Sequence, residues 1–321
     1  MHAAFLDRDG MMKKASRRGR IPMRSENMPG IRKTIALILA VLILFSAAGA
    51  DIVPLPVDLS PGMKPREECF LSDTLYEDDS LRVEVEETSV GVCKIYIARI
   101  SVAHPSQLRT MPAKSFDRDR VAPILSMIRK SNAVMTISGD YFSYQKFKGS
   151  YLVRQGVTYM KQPAATRDIL IIDEKGDFYI EQAPAKGRPV SVEAVESHPG
   201  IVNTFNFGPG LVVDGVKWGN PWNPGYCSAS KKTRRVAICQ VERGRLDYIC
   251  VCCDGREVYG GGLTLEEFAD FVYGLGVENA YNLDGGNSAA FFLGEHQFNH
   301  VSGGTRDLSD IIYFASAVTP D

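Results

Sequence analysis

The chain of 321 residues is 45% hydrophobic and 23% charged, a globular balance that excludes wholesale disorder and leaves room for one large domain or two small ones. Residues 1–50 hold nine of the 37 Lys and Arg but only three of the 38 Asp and Glu, so the remainder carries 28 basic and 35 acidic side chains, about −7 in formal charge. An acidic body without a Lys/Arg stripe argues against a nucleic-acid binder, which draws its affinity from neutralising phosphates over a wide surface.

Residues 35–45 are apolar without interruption, follow Arg32 and Lys33, and precede Ser46-Ala47-Ala48-Gly49-Ala50. That is the order of a secretory signal. The run is shorter than the roughly 20 residues of a membrane-spanning helix, which favours cleavage after Ala50. The competing reading is an uncleaved anchor that reaches through Ile52 and Val53, with its basic flank in the cytoplasm. Either way the body is expected to be secreted or held on the outer face of the cytoplasmic membrane, touching the membrane only through this segment. Met28 opens a more conventional signal than Met1 and is the expected start of translation.

Residues 51–68 are Pro-rich and read as a linker, with a folded domain expected over residues 69–321. Strand-like runs follow at residues 81–86, 93–102, 133–138, 151–153, 169–173, 178–181, 210–213, 236–241 and 248–253. Two helices interrupt them. Residues 121–131 carry Val121, Ile124, Leu125 and Ile128 on one face; residues 265–275 open with a Thr264-x-x-Glu267 capping box and bury Phe268, Phe271, Val272 and Leu275. The fold class is therefore α/β of an α+β kind, a single strand-rich domain with a mixed sheet and few helices. The seven cysteines are odd in number. Cys250, Cys252 and Cys253 read as small hydrophobes of a buried strand, with the adjacent pair on opposite faces.

Three strand-like runs end on an Asp beside glycine: Gly139-Asp140-Tyr141-Phe142, Asp254-Gly255-Arg256, and Asn282-Leu283-Asp284-Gly285-Gly286-Asn287-Ser288. The second helix lies between the last two, so a β-α-β unit with parallel strands is expected, with Asp254 and Asp284 at one sheet edge. Open α/β sheets bind ligands at that edge. A lone Asp-Gly is ordinarily a turn; recurrence at strand ends, with Arg235, Arg256 and Arg306 alongside, points to a site. Arginine's planar fork matches two phosphate oxygens. His296 and His300 read as loop residues rather than a zinc set. Gly260-Gly261-Gly262 lacks the partners of a phosphate loop, and no Gly-x-Ser-x-Gly elbow is present. Acid–base work falls to carboxylates, and no metal or other cofactor is expected.

These segments, in this order, resemble the phosphodiester glycosidase family over residues 71–318. The resemblance is carried by Gly139-Asp140-Tyr141-Phe142, Phe207-Gly208-Pro209, Val213-Asp214-Gly215, Arg235-Val236-Ala237-Ile238, Asp254-Gly255-Arg256, residues 262–267, residues 282–288 and Arg306. The chain departs from the pattern at Ser138, where the family often has Asn, at Arg234-Arg235-Val236 in place of Pro-Arg-Thr, and at Asn287 in place of a third Gly. The resemblance implies hydrolysis of the glycosidic bond of a sugar-1-phosphodiester in a cell-wall or exopolysaccharide glycan. It implies Asp284 and Asp140 as carboxylates near the sugar and Asp254 as an orienting partner. Arg235, Arg256 and Arg306 would then hold the phosphate, with Tyr141, Asn282, Gly285, Gly286, Asn287 and Ser288 lining the substrate. Two other readings stay open: a non-catalytic surface glycan-binding protein, and a metal-dependent phosphodiesterase that cuts the P–O bond.

Overall fold

A computed structural model describes residues 51–116, 120–140, 150–163, 167–184, 187–217, 229–255 and 261–319. The signal-like segment, Tyr141, Cys227 and Arg256 lie outside these residues. With strands numbered in chain order, the largest sheet runs β1 (Phe70–Ser72), β2 (Leu75–Glu77), β3 (Leu81–Val90), β4 (Cys93–Val102), β15 (Asp247–Cys253), β14 (Arg235–Gln240), β16 (Asn279–Leu283), β12 (Gly210–Val213) and β13 (Val216–Lys217). A second sheet runs β18 (His296–Gln297), β17 (Phe291–Leu293), β6 (Ala133–Ser138), β19 (Asp310–Ala315) and β5 (Leu108–Pro112). A third is β10 (Phe178–Glu181), β9 (Ile169–Asp173) and β11 (Ile201–Phe205), beside a hairpin of β7 (Tyr151–Arg154) and β8 (Val157–Lys161).

Alternation along the strands builds the layers. In β15, Cys250 and Cys252 face one side while Ile249, Val251 and Cys253 face the other. The first side, with Tyr96 and Ile100 of β4, packs on Ile137, Ile312, Phe314, Leu170 and Phe178 of the two other sheets. The opposite side is covered by helix α3 (Leu265–Tyr273), through Leu265, Phe268, Ala269 and Val272. On the far side of the second sheet, Ile311, Tyr313 and Ala315 meet α1 (Ile124–Ser131) through Ile124, Met127 and Ile128. The body is thus layered helix, sheet, sheet, helix. A short α2 (Val192–Glu196) caps the third sheet through Val195. Six cysteines are buried and free, as a core role requires.

The expected capping box forms at α3: Thr264 Oγ1 accepts from the Glu267 N–H (3.1 Å) and Glu267 Oε2 from the Thr264 N–H (2.8 Å). Helix α1 begins after Pro123, three residues later than the periodicity predicts. The mixed sheet and the adjacent parallel strands are not found: every ladder among the described residues is antiparallel. The reason is the β14–β15 hairpin, which inserts β14 between β15 and β16 and pairs it with both. Helix α3 therefore crosses two strand positions rather than one. Because β15 and β16 are each antiparallel to β14, they still run in the same direction, and Asp254 and Asp284 still end on one edge.

Residues 51–63, read as linker, lie against the body. Ile52 bridges Val318 and Met63 bridges Ser316 just beyond β19, and Leu55 is buried. The fully buried Arg109 donates to the carbonyls of Pro56 (2.9 Å), Asp58 (3.0 Å) and Ser60 (2.9 Å), strapping the segment down. Among the described residues no helix is long and apolar enough to cross a membrane.

Candidate active site

The two large sheets touch where β6 and β16 end. Ser138 Oγ donates to the Asp284 carbonyl (2.8 Å), and the Asp284 N–H reaches the Gly139 carbonyl (3.4 Å). β19 opens with Asp310 directly beside this junction, its carbonyl accepting from the Gly139 N–H (3.3 Å). A Cβ at Gly139 would fall 2.5 Å from Asp310 Oδ1, so only glycine lets the two segments approach. Three carboxylates, Asp140, Asp284 and Asp310, converge on this edge.

Asp140 Oδ2 accepts from the Asn206 N–H (2.7 Å) and from Arg154 Nη2 (3.5 Å), while Oδ1 is buried with no partner among the described residues. Arg154, itself without exposure, also gives Nη2 and Nε to Asp310 Oδ2 at 3.1 and 3.3 Å. Its guanidinium lies 4.3 Å from the Phe205 ring centre and 5.4 Å from that of Phe116. Burial pushes the Asp310 carboxyl up to about 6, with Arg154 opposing and the Asp140 charge adding. Burial likewise raises Asp284, against the neighbouring Ser288 hydroxyl and the Arg306 charge, with Asp140 adding a little. Ser288 Oγ lies beside that carboxyl without meeting hydrogen-bond geometry to a described partner. Arg306 Nη2 donates to Asp284 Oδ2 (3.0 Å) from a side chain 49% exposed.

Sheet alternation separates the two neighbouring arginines. Arg235 follows Ala237 and Cys239 to the helix side, where Nε donates to the Leu263 carbonyl (3.2 Å) and Nη2 to the Lys231 carbonyl (2.8 Å). Arg234 takes the other side, Nε to the His300 carbonyl (2.9 Å) and Nη1 to Asn287 Oδ1 (3.3 Å). Its own carbonyl accepts from the Gly286 N–H (3.0 Å), so Arg234 carries the loop that follows Asp284. Asp254 braces the same region, Oδ1 accepting from the His300 N–H (2.8 Å) and Oδ2 from the Tyr96 hydroxyl (3.3 Å). Asn282 Nδ2 donates to the Gly208 carbonyl (2.8 Å), tying β16 to the loop before β12.

The structure thus brings Asp140, Asp284, Arg306, Ser288 and the Gly285-Gly286-Asn287 turn together. Asp254 stands behind them, while Arg235 and Asn282 bond to backbone carbonyls of the scaffold. His296 stacks edge-on against Phe298 at 4.7 Å. Sequence reasoning missed Arg154, Asp310 and Asn206. The signal was a charged residue closing or opening an apolar strand, Tyr151-Leu152-Val153-Arg154 and Asp310-Ile311-Ile312-Tyr313, where a lone charge is affordable only in a network.

Two outcomes test this construction. A Cβ at Gly285 would lie 2.4 Å from the Arg234 carbonyl oxygen, a backbone atom that cannot swing away. Gly285→Ala is expected to cost about 1–3 kcal/mol in urea unfolding, as overpacking does, and to displace the Asp284 loop. Asp168, whose carboxylate accepts from the Ala183 and Gly210 N–H groups (both 3.0 Å), is also pushed by burial to about 6. Between the ordinary carboxylate value and pH 6 the native state binds more protons than the unfolded chain, so stability falls as pH rises through that window. Asp168 and Asp310 each contribute on the order of 3 kcal/mol to this fall. Urea unfolding between pH 4 and 7 should show a shallower decline for Asp168→Asn than for the wild type; equal slopes would refute the assignment.

A family profile described as phosphodiester glycosidase matches residues 131–315. No curated protein matches the sequence significantly. Among solved structures, the chain is similar to the catalytic domain of zebrafish N-acetylglucosamine-1-phosphodiester alpha-N-acetylglucosaminidase, auto-inhibited by its pro-peptide, with a TM-score of 0.58 at 14% identity over 79% of this chain and 87% of that one. It is also similar to a hypothetical protein from Synechocystis, with a TM-score of 0.54 at 16% identity over 74% of this chain and 62% of that one. At such identities the likeness is one of fold. The profile match covers more than half of the sequence and takes in both strand ends that form the site, and on that ground the chain belongs to the phosphodiester glycosidase family.

Proposed function

We propose that the protein hydrolyses the glycosidic bond of sugar-1-phosphodiesters, as an exported enzyme acting on cell-wall or exopolysaccharide glycans. The observation that carries the reading is the pairing, at one edge, of a buried carboxyl, Asp284, with a half-exposed arginine, Arg306, beside a second carboxyl, Asp140, that has an unpartnered oxygen. A sugar phosphodiester asks for this combination: carboxylates at the anomeric carbon and a cation where negative charge gathers on the departing phosphate.

In this reading the C1–O bond breaks and its electron pair stays on the phosphate oxygen, while water supplies the hydroxyl that ends on C1. Asp284 and Asp140 are the carboxylates at the sugar; one of them attacks the anomeric carbon or takes a proton from the attacking water. Arg306 takes up the phosphate charge, and the Gly285–Ser288 turn, with Ser288 Oγ, faces the substrate. Phosphate monoester is a fair leaving group, so general-acid help is a smaller part of the barrier than in an ordinary glycoside. Asp254 and Arg234 keep the turn in register.

The test is incubation of residues 51–321 with a panel of sugar-1-phosphodiesters, with and without EDTA, in water enriched in oxygen-18. Label in the released sugar supports the reading. Label in phosphate means that the P–O bond is cut, EDTA-sensitive loss of that product marks a metal-dependent phosphodiesterase, and binding without any product marks a glycan-binding protein.

A further inference from the structure

Asp310 has no part in the reaction as written above, yet it is the most enclosed carboxyl at the site. Its side chain and that of Arg154 are both without exposure, and the one guanidinium is shared, with Nη2 3.1 Å from Asp310 Oδ2 and 3.5 Å from Asp140 Oδ2. Two ionised carboxylates on one cation leave an excess negative charge among buried side chains. Packing does not call for this: β19 pairs with β5 and β6 through its backbone, and an apolar side chain in such a position is commonly no less stable than a buried ion pair.

We propose that Asp310 is a positioning residue: through the shared Arg154 it fixes the Asp140 carboxyl with Oδ1 left without a partner among the described residues. The inference rests on the phosphodiester glycosidase reading. Arg154 commits two N–H groups to Asp310, and Phe205 and Phe116 flank its guanidinium. The Asn206 N–H takes the same Asp140 oxygen at 2.7 Å. Oδ2 is therefore held from two sides, and Oδ1 is the atom left for chemistry. Charged groups close to Asp140 include Arg154 at the end of β7, Asp310 at the start of β19, and Asp284 with its partner Arg306 beyond β16. The Tyr281 hydroxyl, donating to the Asp168 carbonyl at 2.6 Å, stays un-ionised because burial raises it well above its ordinary value.

The experiment is kcat and KM for wild type and Asp310→Asn on one sugar-1-phosphodiester. The kcat should drop about tenfold as Arg154 loses its fixed partner, with KM within about twofold. An unchanged kcat, or a KM that rises in step with the loss, would overturn the proposal. A second measurement does not need activity: carbon-13 carboxyl resonances of the aspartates in wild type and Asp168→Asn. A buried aspartate that titrates near pH 6 and persists in Asp168→Asn supports the enclosed Asp310; complete ionisation of every aspartate below pH 5 refutes it. If wild type turns over no sugar-1-phosphodiester while that titration is present, the functional reading fails and the buried Asp310–Arg154 pair stands.

Discussion

Asp284→Asn is expected to lower kcat on a sugar-1-phosphodiester by roughly 10²–10⁴-fold, the range that loss of a positioned acid–base or nucleophilic carboxylate produces, while leaving the melting temperature unchanged or higher. The two halves of that expectation have one cause. Burial already disfavours the ionised Asp284 side chain, so a neutral amide of the same shape removes an electrostatic cost from the native state. What it gives up in stability is a single ion pair to Arg306, whose half-exposed guanidinium is well solvated. Activity and stability should therefore move apart. Steady-state kinetics with thermal unfolding on one preparation decides the matter; a variant that loses activity and stability in proportion would make Asp284 a structural residue.

Arg154→Met is expected to cost about 3–5 kcal/mol at pH 7, the penalty for leaving buried charges without their partner. Its volume and its contacts with Phe116 and Phe205 are largely kept by Met, so the loss is electrostatic. It strands Asp310 and Asp140, both buried, and takes the donors from the Thr204 and Val153 carbonyls. The pH dependence separates these causes. Protonating Asp310 neutralises the stranded charge, so part of the deficit should return at pH 5. Urea unfolding at the two pH values is the check: an equal deficit at both would assign the loss to the carbonyls and to packing instead.

Much of this site was legible in the sequence because strand ends announce themselves. Asp140, Asp254 and Asp284 were found from glycine after an apolar run, and a shared edge for Asp254 and Asp284 survived even though the strand pairing behind it did not. Pairing was illegible because a hairpin and a helical crossover both connect neighbouring strands, and hydrophobic pattern alone does not say which strand is slipped between. The second sheet was half hidden: Asp310–Ala315 and Leu108–Pro112 are buried on both faces and show no alternation. With them went Asp310, and with β7 taken one residue too short went Arg154. The choice between Arg234 and Arg235 turned on parity along β14, which becomes certain only once the helix side of the sheet is known.

The strap at residues 51–63 joins the body at a distance from the site. It is fastened beyond Ala315, at the finish of the strand whose start, Asp310, borders the site. Six residues of strand separate the two, about 20 Å at roughly 3.3 Å per residue. Attachment ahead of residue 51 is expected to hold the protein beyond the end of β19, on the far side of that strand from Asp310. Immobilisation through the N-terminus should preserve access of a polymeric substrate, where attachment at the Asp284 turn would block it.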